Sequence, residues 1–357
     1  MREALTIGRP GRAAALLLLL ALAGCAAQSA PVAPPAAIRF PVFYATNRGD
    51  SGAADPAERF GAEPGALSYG RAEIAIPVDH QVGEIESSSS WGIADAAASE
   101  GDFGVVSTAS LAPPDFLAGI AEQGRRTGDG SVLVFIHGYN NSFLDALKRT
   151  AQLAADLDWQ GPAVVFSWPS RGALLDFNDD RANAEASAAP LRVFLGMLAN
   201  RADAGRIDIV AHSMGARVLL LALAGFENPR RPFDQIAMAA LEMSRDEFIA
   251  LAPRAVAAAG RVTLYASSSD RPLQVIAEIA GDALAGDASA GPILVPGVDS
   301  IDATAADGDL LGHSYYADSR AVLADLHQLL THDLPPDQRF GLRARTVEGG
   351  RYWELKP

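Results

Sequence analysis

Cysteine is all but missing from this chain, with one residue, Cys25, in 357. A single thiol excludes an intrachain disulfide and any cysteine-based metal cluster. Basic charge is also scarce. The chain carries 29 Lys and Arg against 43 Asp and Glu, a net −14. That balance argues against binding nucleic acid or an anionic membrane through a basic surface. The body of the chain has no apolar run of about eighteen residues, so no membrane-spanning helix is expected there. Nor is there an internal repeat. The rest is an ordinary globular balance, 49% apolar and 20% charged, in a chain long enough for one α/β domain of about 250–300 residues.

The N-terminus stands apart. Arg2, Arg9 and Arg12 supply a positive n-region, and Ala13 to Ala23 an apolar h-region of eleven residues. This is too short to span a bilayer and the right length for a secretory signal. It ends in Leu22-Ala23-Gly24-Cys25, which resembles a bacterial lipobox, where the cysteine becomes the lipidated first residue of the mature chain. Residues 1–24 are thus expected to be a lipoprotein signal peptide and Cys25 the site of lipidation. Residues 25–38, rich in Ala, Pro and Ser, read as a flexible tether, and residues 39–357 as a single domain. Removing residues 1–24 takes three Arg and one Glu from the 29 basic and 43 acidic residues, leaving a net −16. Ala26 and Ala27 follow the cysteine with no acidic retention-type residue, which favours the outer membrane of a Gram-negative host.

Arg39–Thr46 and Gly70–Ile76 are β-rich, separated by a polar, Gly-rich loop, and Phe103–Ala109 fits a further strand. Residues 77–101 read as irregular surface, with the Ser87–Ser90 run exposed. From Ser131 onward strands and helices alternate, the signature of a parallel sheet with crossover helices. Val132-Leu-Val-Phe-Ile136 is continuously apolar, as a strand buried on both faces should be. Helices are expected over about Ser142–Leu157, Arg181–Asn200, Gly215–Phe226, Arg245–Ala258, Leu273–Leu284 and Asp318–Leu330. Strands are expected at Ala163–Ser167, Ile207–Ala211, Gln235–Leu241, Arg261–Ala266 and around Ile293–Val295. The fold class is therefore α/β, a mostly parallel central sheet with helices on both faces, and the N-terminal β-rich portion extends the same sheet.

Ser213 sits where the strand Ile207–Ala211 runs into the next helix. A serine on such a corner has an exposed hydroxyl, with backbone N–H groups beside it aimed at whatever it attacks. Ala211 and Gly215, two before and two after, are small, as so tight a turn demands. The usual form is G-x-S-x-G, with Ala in place of the first Gly here. An activated serine needs a base and a group that orients the base, and in this architecture they follow in the order Ser, acid, His. Three of the six histidines lie after Ser213. His327 and His332 fall in or near the last helix and read as surface residues. His313 stands in the loop Asp307-Gly-Asp-Leu-Leu-Gly-His-Ser, after the last strand, and is the candidate base. Asp270, just past the strand ending at Ala266, is the candidate acid, with an N-cap role as its structural alternative. Glu242 is its rival, and the Asp299/Asp302 pair, on the segment that delivers His313, is a weaker one. An oxyanion would be held by the backbone N–H of Met214 and, from the loop His137-Gly-Tyr-Asn-Asn141, that of Tyr139. His137 and His212 read as residues that hydrogen-bond these turns in place.

Several blocks are shared with one bacterial family. Val134-Phe-Ile-His-Gly-Tyr-Asn-Asn141, Phe166-Ser-Trp-Pro-Ser170, Ala211-His-Ser-Met-Gly215, Leu264-Tyr-Ala-Ser-Ser-Ser-Asp270 and Gly312-His-Ser-Tyr-Tyr316 resemble an α/β-hydrolase family catalogued as a domain of unknown function, found in secreted proteins and lipoproteins. Val42-Phe-Tyr-Ala-Thr-Asn-Arg48 and Ser68-Tyr-Gly-Arg-Ala-Glu73 extend the likeness, so it covers about residues 40–330. The resemblance implies an α/β-hydrolase fold, with Ser213 as nucleophile, Asp270 as acid and His313 as base. One departure is Leu241-Glu-Met-Ser244, where the family pattern carries Ala-Pro-Asp.

Together these readings predict a serine hydrolase acting on a small ester or a lipid-like substrate through an acyl-enzyme, with no metal and no organic cofactor. Its only membrane contact would be the N-terminal lipid anchor, and nothing in the pattern specifies an oligomer. Trp168, Phe177 and Phe143 are candidates to line an acyl pocket, and the helix after Asp180 to cover it. The alternative class is a lipid-anchored envelope protein that uses the same fold for binding without turnover.

Overall fold

The five residues Val132–Ile136 are all buried, and their side chains part alternately into two cores. Val132, Val134 and Ile136 join one apolar cluster, and Leu133 and Phe135 the other. A strand buried on both faces needs layers on both sides, and the computed structural model supplies them. It describes residues 37–87, 102–171, 177–201, 205–228, 230–306 and 312–357. The expectations for residues 1–36, including Cys25, lie outside these. So do those for the serine run beyond Ser87 and for residues 307–311 of the His313 loop.

In chain order the strands are β1 Ile38–Asp50, β2 Phe60–Ile76, β3 Gly104–Leu111, β4 Val132–Ile136, β5 Ala163–Ser167 and β6 Ile207–His212. Then follow β7 Phe233–Ala239, β8 Ala259–Ala266, β9 Val298–Asp302, β10 Leu342–Val347 and β11 Gly350–Leu355. The helices are α1 Pro56–Arg59, α2 Pro113–Thr127, α3 Phe143–Asp156, α4 Phe177–Ala199 and α5 Met214–Ala224. They continue as α6 Arg245–Ala258, α7 Arg271–Ala280, α8 Tyr315–Asp318 and α9 Arg320–His332. Among the described residues one sheet holds all the strands, in the order β10-β11-β9-β8-β7-β6-β4-β5-β1-β2-β3. From β11 to β1 every neighbouring pair is parallel, and antiparallel strands (β10 at one end, β2 and β3 at the other) close the edges. Buried residues of α2, α4, α5 and α6 pack in one core; those of α3, α7, α8 and α9 pack in the other. This is the α/β architecture the alternation predicts, and Ala36–Pro357 form one compact unit.

Some boundaries shift for identifiable reasons. No strand forms at Ile293–Val295; the strand is Val298–Asp302 instead. Pro292 and Pro296 bracket the expected segment and cannot donate to a ladder, so Ile293 and Val295 pack as a buried loop. Helix α7 stops at Ala280 because Gly281 takes the left-handed conformation that caps it. The loop expected before Gly70 is in large part strand, since β2 begins at Phe60 and pairs back on β1. The helix α2 and the hairpin β10–β11 have no counterpart in the sequence reading.

Residues 77–87 are pinned to α3 by a histidine between two carboxylates. His80 Nδ1 lies 2.9 Å from Glu86 and Nε2 3.1 Å from Asp156, whose other oxygen accepts the Gly83 N–H. With an anionic partner at each nitrogen the ring holds both protons, and its pKa is pushed up to about 9, first by the Asp156 hydrogen bond. Because the folded value lies above the unfolded one, this stabilisation is complete below about pH 6.5 and is lost as pH rises through about 9. Urea titrations of wild type and His80→Gln should therefore differ most at pH 6 and converge by pH 10; a gap that is constant across that range would contradict the imidazolium.

Candidate active site

Strand β6 ends at His212, and Ser213 makes the corner into α5 with φ 51° and ψ −123°. This is left-handed backbone that a residue with a side chain rarely adopts. The Ser213 N–H is tied to the Ala239 carbonyl at 2.9 Å, and two glycines make the packing possible. A Cβ on Gly215 would stand 2.3 Å from the His137 carbonyl oxygen, and one on Gly138 would stand 3.0 Å from Ser213 Cβ. So the end of β4, the start of α5 and the serine meet with room only for hydrogen. Met214 opens the helix, where the first N–H groups have no intrahelical acceptor. Tyr139 follows Gly138 on the neighbouring loop, its ring set edge-on to Phe177 at 5.6 Å.

The three residues that were expected to act together do meet. His313 Nε2 lies 3.2 Å from Ser213 Oγ, and Nδ1 lies 2.8 Å from Asp270 Oδ2 and 3.0 Å from Oδ1. A carboxylate only accepts, so Nδ1 carries the proton and Nε2 is left to accept from the serine hydroxyl. Asp270 is fully buried and also N-caps α7, taking the Leu273 N–H on Oδ1 at 3.0 Å. The contact of a helix cap and the contact with the imidazole, posed as alternatives by the sequence, are made by the same carboxylate. Gly312, at φ +68°, lets the His313 loop approach the Ser269 carbonyl, where a Cβ would come within 2.6 Å. His212 stacks on Tyr316 at 4.3 Å and donates from Nε2 to the His313 carbonyl at 3.0 Å. Burial first, then the neighbouring His313, hold its pKa well below the ordinary value, so it supports the loop as a neutral ring. Behind it, Tyr315 hydroxyl accepts from Ala240 N–H and donates to the Tyr265 carbonyl, tying the ends of β7 and β8 together.

The rival carboxylates lie elsewhere. Glu242 is buried 3.6 Å from Arg181, and burial pushes its pKa up to about 7. Asp299 pairs with Arg261, and Asp302 accepts from Thr304 N–H. Of the aromatic candidates only Phe177 lines the cavity over Ser213. Trp168 is buried, stacked on His137 and donating to its carbonyl at 2.7 Å. Phe143 packs in the core against Tyr44 and Phe60. Helix α4 begins earlier than expected, and its first turn brings Phe177, Asn178 and Arg181 to the cavity.

Sequence reading missed the residue that holds the 137–141 loop. Arg48, 1% exposed, donates to the carbonyls of Asn141 at 2.7 Å, Ser170 at 2.9 Å and Gly61 at 3.0 Å. Its Nε donates to Ser167 Oγ at 2.9 Å, and that hydroxyl is 3.2 Å from His137 Nε2. His137 Nδ1 faces the Gly138 carbonyl at 2.8 Å and must donate there, so Nε2 accepts from Ser167. Every donor direction in this line is fixed. Burial, and then Arg48, push the His137 pKa down to about 3, which keeps the ring neutral. Arg48→Met would strand the Asn141 and Ser170 carbonyls; at about 1–3 kcal/mol for each unsatisfied group, a loss of about 2–6 kcal/mol is expected in chemical denaturation. A loss below about 0.5 kcal/mol, the range of ordinary surface changes, would contradict this role.

Among known proteins, the chain is 28% identical over 110 residues to the uncharacterized protein alr1448 of Nostoc sp. (strain PCC 7120), a match covering 24% of this chain and 29% of that protein. The chain thus spans less than a third of that relative's length. Among solved structures it is similar to mouse alpha/beta hydrolase domain-containing protein 10, with a TM-score of 0.31 and 16% identity over 56% of this chain and 88% of that one. A family model described as alpha/beta hydrolase of unknown function (DUF900) matches residues 118–332. That span is more than half of the sequence and holds Ser213, Asp270 and His313, and the chain belongs to this family.

Proposed function

We propose that the protein is a serine hydrolase that cleaves carboxylic esters through an acyl-enzyme. The observation that carries this reading is the unbroken hydrogen-bonded line from Ser213 through His313 to the buried Asp270. It stands at the carboxyl ends of parallel strands, beneath an open cavity of about 960 Å³. Ser213 Oγ attacks the ester carbonyl as its proton passes to His313 Nε2, while Asp270 holds the Nδ1–H and stabilises the imidazolium that forms. The N–H groups of Met214 and Tyr139 take the oxyanion. The alcohol leaves with the proton from His313, and water, deprotonated by the same nitrogen, releases the acid. No step calls on a metal or an organic cofactor.

A fluorophosphonate probe tests the nucleophile: the wild type should label and Ser213→Ala should not. If the folded wild type stays unlabelled and hydrolyses no short-chain activated ester, the protein binds without turnover. Asp270→Asn separates the two duties of that carboxylate. Asn caps a helix as well as Asp, so the melting temperature should hardly move, while kcat should fall by about 10⁴-fold as the imidazole loses its tautomer. A fall in stability with unchanged kcat would make Asp270 a cap alone.

We further propose that residues 1–24 are removed and Cys25 carries the lipid, with residues 25–38 as the tether and the outer membrane as destination in a Gram-negative host. Cys25→Ser should shift the protein from the membrane fraction to soluble or unprocessed forms; an unchanged distribution rules out the anchor.

A further inference from the structure

The wall of the cavity over Ser213 divides by chemistry. On one side stands α7, where Pro272, Val275, Ile276, Ile279 and Ala280 recur at the i, i+3, i+4, i+7, i+8 spacing of a single helical face. That face lines the cavity. Leu273 is the one residue of the helix that is buried, whereas Val275 and Ile279 stand 53% and 83% exposed. Helices on a domain surface turn such a stripe to the core; here it is turned to the nucleophile.

Charge marks the rest of the wall. Among the described residues, Arg149, Arg181 and Arg271 line the cavity and no Asp or Glu does, in a chain with 43 acidic and 29 basic residues. The three are not equivalent. Arg149 is bound to Asp318 at 2.7 Å and to Gln152. Arg271 gives one N–H to Gln274 and has no carboxylate partner among the described residues. Arg181 lies 3.6 Å from Glu185 and 3.6 Å from the buried Glu242, and it donates no hydrogen bond among the described residues. A guanidinium offers five N–H donors in a planar fork suited to carboxylate or phosphate. Arg181 and Arg271 both line the cavity and keep N–H donors that no hydrogen bond among the described residues takes up.

We infer that this site takes an amphipathic ester, its apolar chain lying along α7 and an anionic carboxylate or phosphate group held by Arg181 and Arg271. The word ester rests on the hydrolase reading above; the preference for an anionic amphiphile does not, and binding to the Ser213→Ala protein isolates it. Calorimetry with octyl phosphate, octanoate, octanol and ethyl phosphate, all monomeric, should rank the two anionic eight-carbon ligands about tenfold tighter than octanol, a gap typical of charge-assisted pairing and reduced by salt. Ethyl phosphate, which lacks the chain, should bind more weakly than octyl phosphate. Arg181→Gln/Arg271→Gln should close the gap between octyl phosphate and octanol. Arg271→Gln alone, an exposed change, should narrow it if the double variant does not fold. Equal binding of octanol and octyl phosphate, or a gap that survives in both variants, overturns the inference. So does sedimentation with phosphatidylglycerol vesicles in the absence of octyl phosphate binding, which would place the anion at a membrane surface. Turnover of 4-nitrophenyl octanoate by wild type reports separately. Its absence with the binding order intact removes the ester and keeps the pocket; its presence without the binding order does the reverse.

Discussion

Three pieces of backbone converge at Ser213 more closely than side chains allow, and the organisation of the site follows from that crowding. The start of α5 lies against the Ile136 and His137 carbonyls because position 215 is glycine, and Gly138 lies against Ser213 Cβ for the same reason. With its neighbours so close, the serine is held at positive φ, a conformation that costs on the order of 1–3 kcal/mol and persists only where the surroundings over-determine it. The surroundings do so through the bond to the Ala239 carbonyl and through α5, nearly all of it buried. The same crowding fixes the two neighbouring loops. Burial there disfavours a charged ring, and His137 and His212 are held neutral first by it and then by Arg48 and His313 respectively. They serve as rigid spacers.

Asp270 and Arg48 solve one problem with opposite charges. Each is a buried ion whose hydrogen-bonding capacity is spread over several loops that would otherwise move independently. The Asp270 carboxylate takes the Leu273 N–H in the first turn of α7 on one oxygen, and the single Nδ1–H of His313 lies within reach of both. Helix start and imidazole are thereby placed by a single side chain. The Arg48 guanidinium reaches β2, β5 and the loops after β4 and β5. It holds the loop that bears Tyr139 from two strands away in the sheet. Burying a charge this way is costly unless its bonds are satisfied, and for Arg48 the acceptors are carbonyls and a hydroxyl, with no carboxylate in hydrogen-bonding contact.

The parts legible in the sequence are those with local causes. Continuous apolar runs gave β4, β5 and β6; the small residues around Ser213 gave the corner; and chain order after it singled out Asp270 and His313. What was missed depends on distant partners. Arg48 reads as any arginine at a strand end, because its acceptors lie at residues 61, 141, 167 and 170. The hairpin β10–β11 alternates charged residues with few apolar ones, so a period of two carries little signal, and only its Glu348-Gly349 turn, with Gly349 at φ 94°, marks it. The strand expected at Ile293–Val295 failed for the opposite reason. Its apolar run was visible, but the flanking prolines mattered more than hydrophobicity.

Glu242 shows how one chemistry can be used twice in one site. It follows β7 by three residues and Asp270 follows β8 by four, so each is a buried carboxyl just past the carboxyl end of its strand. Asp270 has the imidazole and a helix N-terminus as partners. Glu242 has two guanidinium groups near it, Arg181 at 3.6 Å and the field of Arg217, and the opposing fields of Glu247 and Glu185, which also engage the Arg217 donors. One of its oxygens has no hydrogen-bond partner among the described residues, and burial outweighs both arginines in pushing its pKa up to about 7. Arg181, which lines the cavity and lies 3.6 Å from both Glu242 and Glu185, therefore meets one buried carboxyl whose ionisation burial resists and one half-exposed carboxylate.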